Sequence, residues 1–292
     1  MPAPRILVLG STGGLGRALI RRLAPQHPLT ALTRTDLDLE RPEAISDQLS
    51  RHSFDILLNA AGLTSPDACE VQPEKAQLAN VTGPQALAEH CHRRGARMIH
   101  FSTDYVFSGA PHDPWTEDDP TEPVNIYGRT KRDGELAVLK ASPDALIARV
   151  SWLFGADKPS HPDQMIQRAL QSDDLTAVED KTSVPTSNAD IAGWIHHLIH
   201  HPASGLLHLC NSGTATWHSW AETALQIAES LGVPVKTTRV RPIKLAELTQ
   251  LKAPRPLQTI MSNQRLQALL GSEIRNWATA LEDDLAAKFQ PK

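Results

Sequence analysis

Apolar positions fall along this chain in two rhythms. In the first half, short consecutive apolar runs near residues 6–9, 29–33, 55–58, 97–101 and 145–150 predict buried strands, and the stretches of helical period between them predict helices. Strands alternating with helices imply an α/β fold, a doubly wound parallel sheet of Rossmann type. Pro42 and Pro73 stand where first helical turns would start, the second before a helix expected over residues 74–93. After Trp152 the elements shorten: a Pro/His/Asp-rich loop, helices near 164–171, 189–200 and 217–231, and a polar, proline-containing stretch over 234–256. This predicts one domain over residues 1–150 and a smaller α/β domain over 151–292.

The first strand runs directly into Gly10-Ser11-Thr12-Gly13-Gly14-Leu15-Gly16 and then into a helical pattern. Gly10 permits a tight turn, Gly13 lets backbone approach a pyrophosphate, and Gly16 allows close helix-to-strand contact, while the helix amino terminus faces the anion. The spacing is Gly-x-x-Gly-x-x-Gly rather than Gly-x-Gly-x-x-Gly. An ordinary strand-to-helix connection could look the same; the order strand, glycine turn, helix favours a dinucleotide.

Tyr127 and Lys131 lie four residues apart, one helical turn. A phenol beside a fixed cation is an acid: bringing tyrosine from ~10 to roughly 7 requires ~4 kcal/mol of favoured phenolate, which Lys131 and a cationic nicotinamide would supply. The bland alternative is an aromatic ring packed on an aliphatic lysine stem at the surface. The strand before it ends in Ser102 and Thr103, placed where parallel sheets hold ligands or, more simply, capping a turn.

Together these motifs resemble the extended short-chain dehydrogenase/reductases, and within them the dTDP-4-dehydrorhamnose reductase family. The similarity runs almost end to end: the glycine turn, Asn59-Ala60-Ala61-Gly62, Ser102-Thr103-Asp104-Tyr105-Val106-Phe107, Pro114-Trp115-Thr116-Glu117, the segment around Tyr127 and Lys131, Arg149-Val150-Ser151-Trp152, Val184-Pro185-Thr186 and Arg255-Pro256.

The resemblance implies reduction of a ketone on a nucleotide-linked sugar, with Tyr127 protonating the alkoxide, Thr103 orienting the oxygen and Lys131 holding the nicotinamide ribose. It implies cofactor contacts from Gly10, Thr12, Gly13, Gly14, Leu15, Gly16, Arg34, Asp38, Leu39, Asn59, Ala60, Ala61, Gly62, Asn80 and Ser102, besides Tyr127 and Lys131. Substrate contacts fall on Thr64, Asp67, Thr103, Asp104, Tyr105, Trp152 and Arg255, the last suited to a diphosphate. In this family the chain returns to the first domain, so segments of 151–292, mainly substrate-binding, are expected there too. At the end of the second strand Arg34 can grip a 2'-phosphate and no acid occupies Thr33, which favours NADPH, with NADH as the alternative cofactor. Asn80 either takes a catalytic part or bonds a local carbonyl, and Asp104 either contacts the sugar or caps the next turn. The 4,6-dehydratases of the superfamily carry Asp-Glu where this chain has Asp104-Tyr105, so reduction is expected over dehydration.

Departures bear on substrate and assembly. Pro66-Asp67-Ala68-Cys69-Glu70 lacks the lysine common in relatives, and Met261-Ser262 replaces Leu-Asp. Ala18 stands where some relatives place an acid that helps hold a dimer-bridging metal, so no metal and a monomer or weak homodimer are expected.

Composition agrees without adding chemistry. The chain has 292 residues, 40% hydrophobic, enough for one large or two modest cores. Its net charge of -4 offers no basic field for nucleic acid, and no apolar run is long enough for a membrane. Cys69, Cys91 and Cys210 show no pairing or zinc spacing, which implies free thiols; with no apolar leader read at the start, a cytoplasmic enzyme is expected. His196, His197, His200 and His201 are read as polar residues at a helix carboxyl end, not as a metal site. A rival class is a non-catalytic nucleotide-binding subunit, as in the beta subunit of methionine adenosyltransferase, which resembles the reductases even around the Tyr and Lys. Such a partner role calls for a large exposed apolar patch or an extended tail, and the sequence shows neither.

Overall fold

A computed structural model describes residues 3–111 and 113–289. At its centre lie strands β1 (Ile6–Leu9), β2 (Leu29–Leu32), β3 (Ile56–Asn59), β4 (Arg97–Thr103) and β5 (Leu146–Val150). Beyond β5 come three short pairs, β6 (Leu153–Phe154) with β9 (Thr186–Ser187), β7 (Thr176–Val178) with β12 (Arg241–Ile243), and β8 (Thr182–Ser183) with β11 (Ala215–Thr216); β10 (Gly205–His208) returns to the main sheet. The sheet order is β10-β5-β4-β3-β1-β2, with every neighbour parallel. Strands β1, β3 and β5 are buried along their whole length, which is why they read as unbroken apolar runs. The chain winds outward in opposite directions from β1, and a crevice opens at the carboxyl ends of β1 and β3.

Helices α1 (Gly14–Leu23) and α8 (Asn188–Leu198) cover one face, closing a core that includes Val8, Leu19, Leu58, Ile191 and Ile195. Helices α2 (Pro42–Leu49), α5 (Gly83–Arg94) and α6 (Ile126–Ala141) cover the other, around Leu7, Ile45, Leu87 and Val138. A separate core, with Ile166, Trp220, Leu225 and Leu281, joins α7 (His161–Ala169), α9 (Trp217–Ser230) and the last helix, Trp277–Phe289. Residues beyond Val150 thus supply β10 and α8 to the sheet layers as well as this second core.

The helix expected over 74–93 is interrupted. After α3 (Pro66–Val71) and α4 (Pro73–Gln77) comes one π-helical turn, Leu78–Thr82, before α5. Pro84 has no N–H to give the Asn80 carbonyl four residues earlier, and the Gly83 N–H reaches back five residues to Leu78. Helix α7 starts three residues before its expected position because Asp163 accepts from both the N–H and the hydroxyl of Ser160, at 2.8 and 2.6 Å.

Helix α6 is tied to β5 by a buried pair: Arg149 Nε and Nη2 donate to Glu135 Oε1 and Oε2 at 2.9 and 2.6 Å. Among the described residues no helix is long and apolar enough to cross a membrane, and no group of three or more His, Cys, Asp or Glu could hold a metal. His196 and His200 instead pack their rings on His27, at 5.8 and 5.5 Å. Because one buried charge left alone is costly, Glu135→Leu should lower the unfolding free energy by about 3–5 kcal/mol in urea denaturation, and adding Arg149→Met should recover most of it.

Candidate active site

Backbone contact shapes the crevice. Gly10 has φ 76°, and a Cβ there would stand 2.7 Å from the Ala60 backbone; a Cβ on Gly16 would stand 2.2 Å from the Gly10 carbonyl oxygen. Helix α1 therefore begins hard against the sheet. Its cap residue is Gly13, no side chain accepts from its first amides, and no acid lies in its first turn, so its positive end is free for an anion.

Two adjoining cavities meet over this turn. One, of about 300 Å³, is lined by Gly10, Thr12, Gly13, Arg34, Asp38, Leu39, Ala60, Ala61, Gly62 and Thr64. The other, of about 460 Å³, is lined by Gly13, Gly14, Leu15, Gly16, Ser102, Thr103, Asp104, Tyr105, Tyr127, Lys131 and Trp152. Lys158 lines both, from a loop whose sequence carries no motif, so sequence reasoning missed it. The Ser102 hydroxyl is buried with no partner, a group left for a ligand to satisfy. An uncapped helix terminus, a lysine across the turn and an orphan hydroxyl fit a dinucleotide. Arg34 at the rim is bridged to Glu40 at 2.8 Å and approaches Asp38 at 3.5 Å.

Helix α6 starts where two side chains fix its first turn: Asn125 accepts from the Gly128 N–H at 2.7 Å and Glu70 from the Ile126 N–H at 2.8 Å. Tyr127 and Lys131 are buried on its inner face. Without the nicotinamide cation the phenol is not acidified. Burial raises the Tyr127 pKa above its ordinary value, with the Thr103 hydroxyl pulling the other way and Asp104 and Cys69 adding to the rise. Lys131 does not offset this, because its Nζ donates to the Phe101 carbonyl at 2.6 Å and lies 3.4 Å from His100 Nε2. Burial lowers Lys131 itself to about 8. Tyr127 accordingly keeps its proton at neutral pH, as a proton donor must.

Asp104 does not cap the turn; it lines the second cavity with its carboxylate already hydrogen-bonded. Its Oδ2 accepts from the hydroxyls of Ser151, Ser183 and Thr259 at 3.2, 3.0 and 2.5 Å, and its Oδ1 from Thr103 at 3.1 Å. The turn is capped by Thr103, whose oxygen accepts from the Tyr105 N–H at 3.3 Å. Asn59 and Asn80 line neither cavity but brace them. Asn80 Oδ1 accepts from Leu63 N–H at 2.9 Å, while its Nδ2 donates to the Leu63 carbonyl at 3.0 Å and to Thr130 at 3.1 Å.

The comparisons with known proteins agree with this geometry. A family model described as the RmlD substrate binding domain matches residues 4–289. The chain is 35% identical to a dTDP-4-dehydrorhamnose reductase of Mycolicibacterium smegmatis, over 98% of this chain and 86% of that one. The chain belongs to the dTDP-4-dehydrorhamnose reductase family. Within the family it is 38% identical to a probable dTDP-4,6-dihydroxy-2-methyloxan-3-one 4-ketoreductase of Streptomyces antibioticus, over 98% of each chain. Its structure matches that of a Bacillus anthracis dTDP-4-dehydrorhamnose reductase in complex with NADP, with a TM-score of 0.91, 26% identity, and coverage of 98% and 99% of the two chains.

Two residues that the family resemblance assigned to substrate are turned to each other. Arg255 Nη2 donates to Asp67 Oδ2 at 2.8 Å, Asp67 Oδ1 accepts from the N–H groups of Lys252 and Ala253, and neither side chain lines the two cavities. The pair pins the 252–256 segment to α3. Trp152 does face the second cavity; it is the one non-glycine among the described residues at positive φ, 39°, and stacks on Trp220 at 5.5 Å. Buried Lys181, also missed from sequence, sets its ammonium 5.0 Å from the Tyr105 ring centre and 5.7 Å from that of Trp152.

If Ser102 completes its hydrogen bond with the cofactor, Ser102→Ala should raise the cofactor Kd about tenfold or less in calorimetric titration, with the unfolding midpoint unchanged.

Proposed function

We propose that this protein reduces the 4-keto group of a nucleotide-linked 6-deoxy sugar, with dTDP-4-dehydro-L-rhamnose the first substrate to test and NADPH the preferred cofactor. The observation that carries the reading is a buried Tyr127, one helical turn from Lys131, lining a cavity continuous with the glycine turn. A reduced nicotinamide bound there would supply hydride to the carbonyl carbon. The chain's own groups do the rest. Tyr127 gives its proton to the developing alkoxide, and Thr103 turns its hydroxyl hydrogen, donated to Asp104 in the ligand-free structure, to the same oxygen. Tyr105 and Trp152 exclude water from the reacting carbon. The residue after Asp104 is tyrosine, so the second carboxylate that elimination needs is missing.

For the cofactor's 2'-phosphate the candidate is Arg34, which lines the first cavity, and the structural likeness to a B. anthracis relative in complex with NADP supports NADPH as the cofactor. Glu40 and Asp38 compete for the same guanidinium. Glu40→Gln should therefore lower KM for NADPH severalfold, worth about 1 kcal/mol, and leave KM for NADH nearly unchanged in parallel initial-rate assays.

The sugar itself is the open choice, because the S. antibioticus relative is named for a different keto-sugar. The test is a panel of nucleotide 4-keto-sugars, followed by loss of reduced-nicotinamide absorbance. Sugar-dependent oxidation supports the reductase; none with any sugar would leave the regulatory-subunit reading. Tyr127→Phe should bind cofactor as the wild type does and lose about 10²–10⁴-fold in kcat.

A further inference from the structure

Asn59 and His100 are partners across the β3–β4 pairing, and both are buried. The Asn59 amide is oriented from the cofactor side: its Oδ1 accepts from the Ala61 N–H at 3.1 Å, so its Nδ2 is the atom 2.9 Å from His100 Nδ1. Nδ1 is therefore an acceptor, and the hydrogen of the neutral ring sits on Nε2. Burial, then the Lys131 cation, keep His100 well below the usual histidine range, so the ring is neutral. Its Nε2–H faces Lys131 Nζ at 3.4 Å. An ammonium there sets donor against donor. The free amine instead turns its lone pair to Nε2–H while still donating to the Phe101 carbonyl at 2.6 Å.

We propose that His100 is a positioning residue that accommodates the unprotonated amine of Lys131 and so eases the return of a proton from Lys131 to Tyr127. The proton-return step rests on the reductase reading; the tautomer does not. In that step the Tyr127 O–H bond breaks as its proton passes to the alkoxide. The tyrosinate is reprotonated at the expense of the Lys131 ammonium, one helical turn away. The amine left behind accepts from His100 Nε2–H until solvent returns the proton. No electrons move in this part of the reaction. Other groups around Lys131 act in the opposite sense: Glu135 on the same helix, already bridged to Arg149, and Cys69 of α3 both favour the charged amine. Tyr127, the remaining titratable neighbour, is neutral until it reacts.

Three variants test this. His100→Phe removes the donor and keeps a ring, His100→Gln restores an N–H near Nε2, and Asn59→Asp reverses the tautomer without touching the histidine. In ligand-free protein carrying ¹³C-labelled lysine, with Lys131→Met to assign the signal, the Lys131 titration midpoint should rise by about one pH unit or more in His100→Phe and in Asn59→Asp. It should return towards wild type in His100→Gln. With a nucleotide 4-keto-sugar, His100→Phe should move the alkaline limb of kcat upward and lower kcat about tenfold at neutral pH, with KM little changed. An unmoved midpoint in folded His100→Phe, or in Asn59→Asp where His100→Phe does not fold, would overturn the proposal. So would a kcat profile merely scaled down. A shifted midpoint in a protein that reduces no keto-sugar supports the amine-accommodating role and rejects the reductase reading alone.

Discussion

Helix α6 can present a phenol and an amine to the crevice only because backbone meets backbone at two of its positions. A Cβ on Gly128 would stand 2.1 Å from the Tyr105 carbonyl oxygen, and one on Gly134 would stand 2.0 Å from that of Asn80. The second contact needs a neighbour that has already lost its regular helical bond. Pro84 withholds the regular i+4 donor from the Asn80 carbonyl, and in the same turn the Asn80 side chain clamps Leu63 and Thr130. One deformation thus fixes helix α6 and the loop behind the crevice together.

Around this seat, burial sets the chemistry more than charge pairing does. Burial pushes the Tyr127 phenol up and the Lys131 amine down, both towards the neutral form. The Asp104 carboxylate survives in the same interior because four hydroxyls, those of Thr103, Ser151, Ser183 and Thr259, donate to it. That cluster ties the end of β4 to segments beyond Val150, so different sides of the second cavity are held by one network.

Much of this was legible from sequence where local pattern decides. Both ends of β1, the glycine turn, the proline-marked starts of α2 and α4, and the Tyr127–Lys131 spacing are short-range features, and the structure keeps them. What escaped depends on distance or on an absent hydrogen bond. Helical period reads straight through Leu78–Thr82, since a π turn adds one residue without changing composition. Asp67 and Arg255 each looked like a ligand contact, and only the fold reveals that residues so far apart in the chain pair with each other. Lys158 and Lys181 carry no motif, and the direction of the Lys131 amine depends on strand neighbours that no spacing reports.

The most direct test of the central claim is a crystal structure of the ternary complex with oxidised nicotinamide cofactor and a nucleotide-sugar product. The account predicts the sugar O4 within about 3 Å of both the Tyr127 and Thr103 hydroxyls, with the nicotinamide on the glycine-turn side. A product whose O4 points away from Tyr127, with the phenol bonded only to protein, would contradict it.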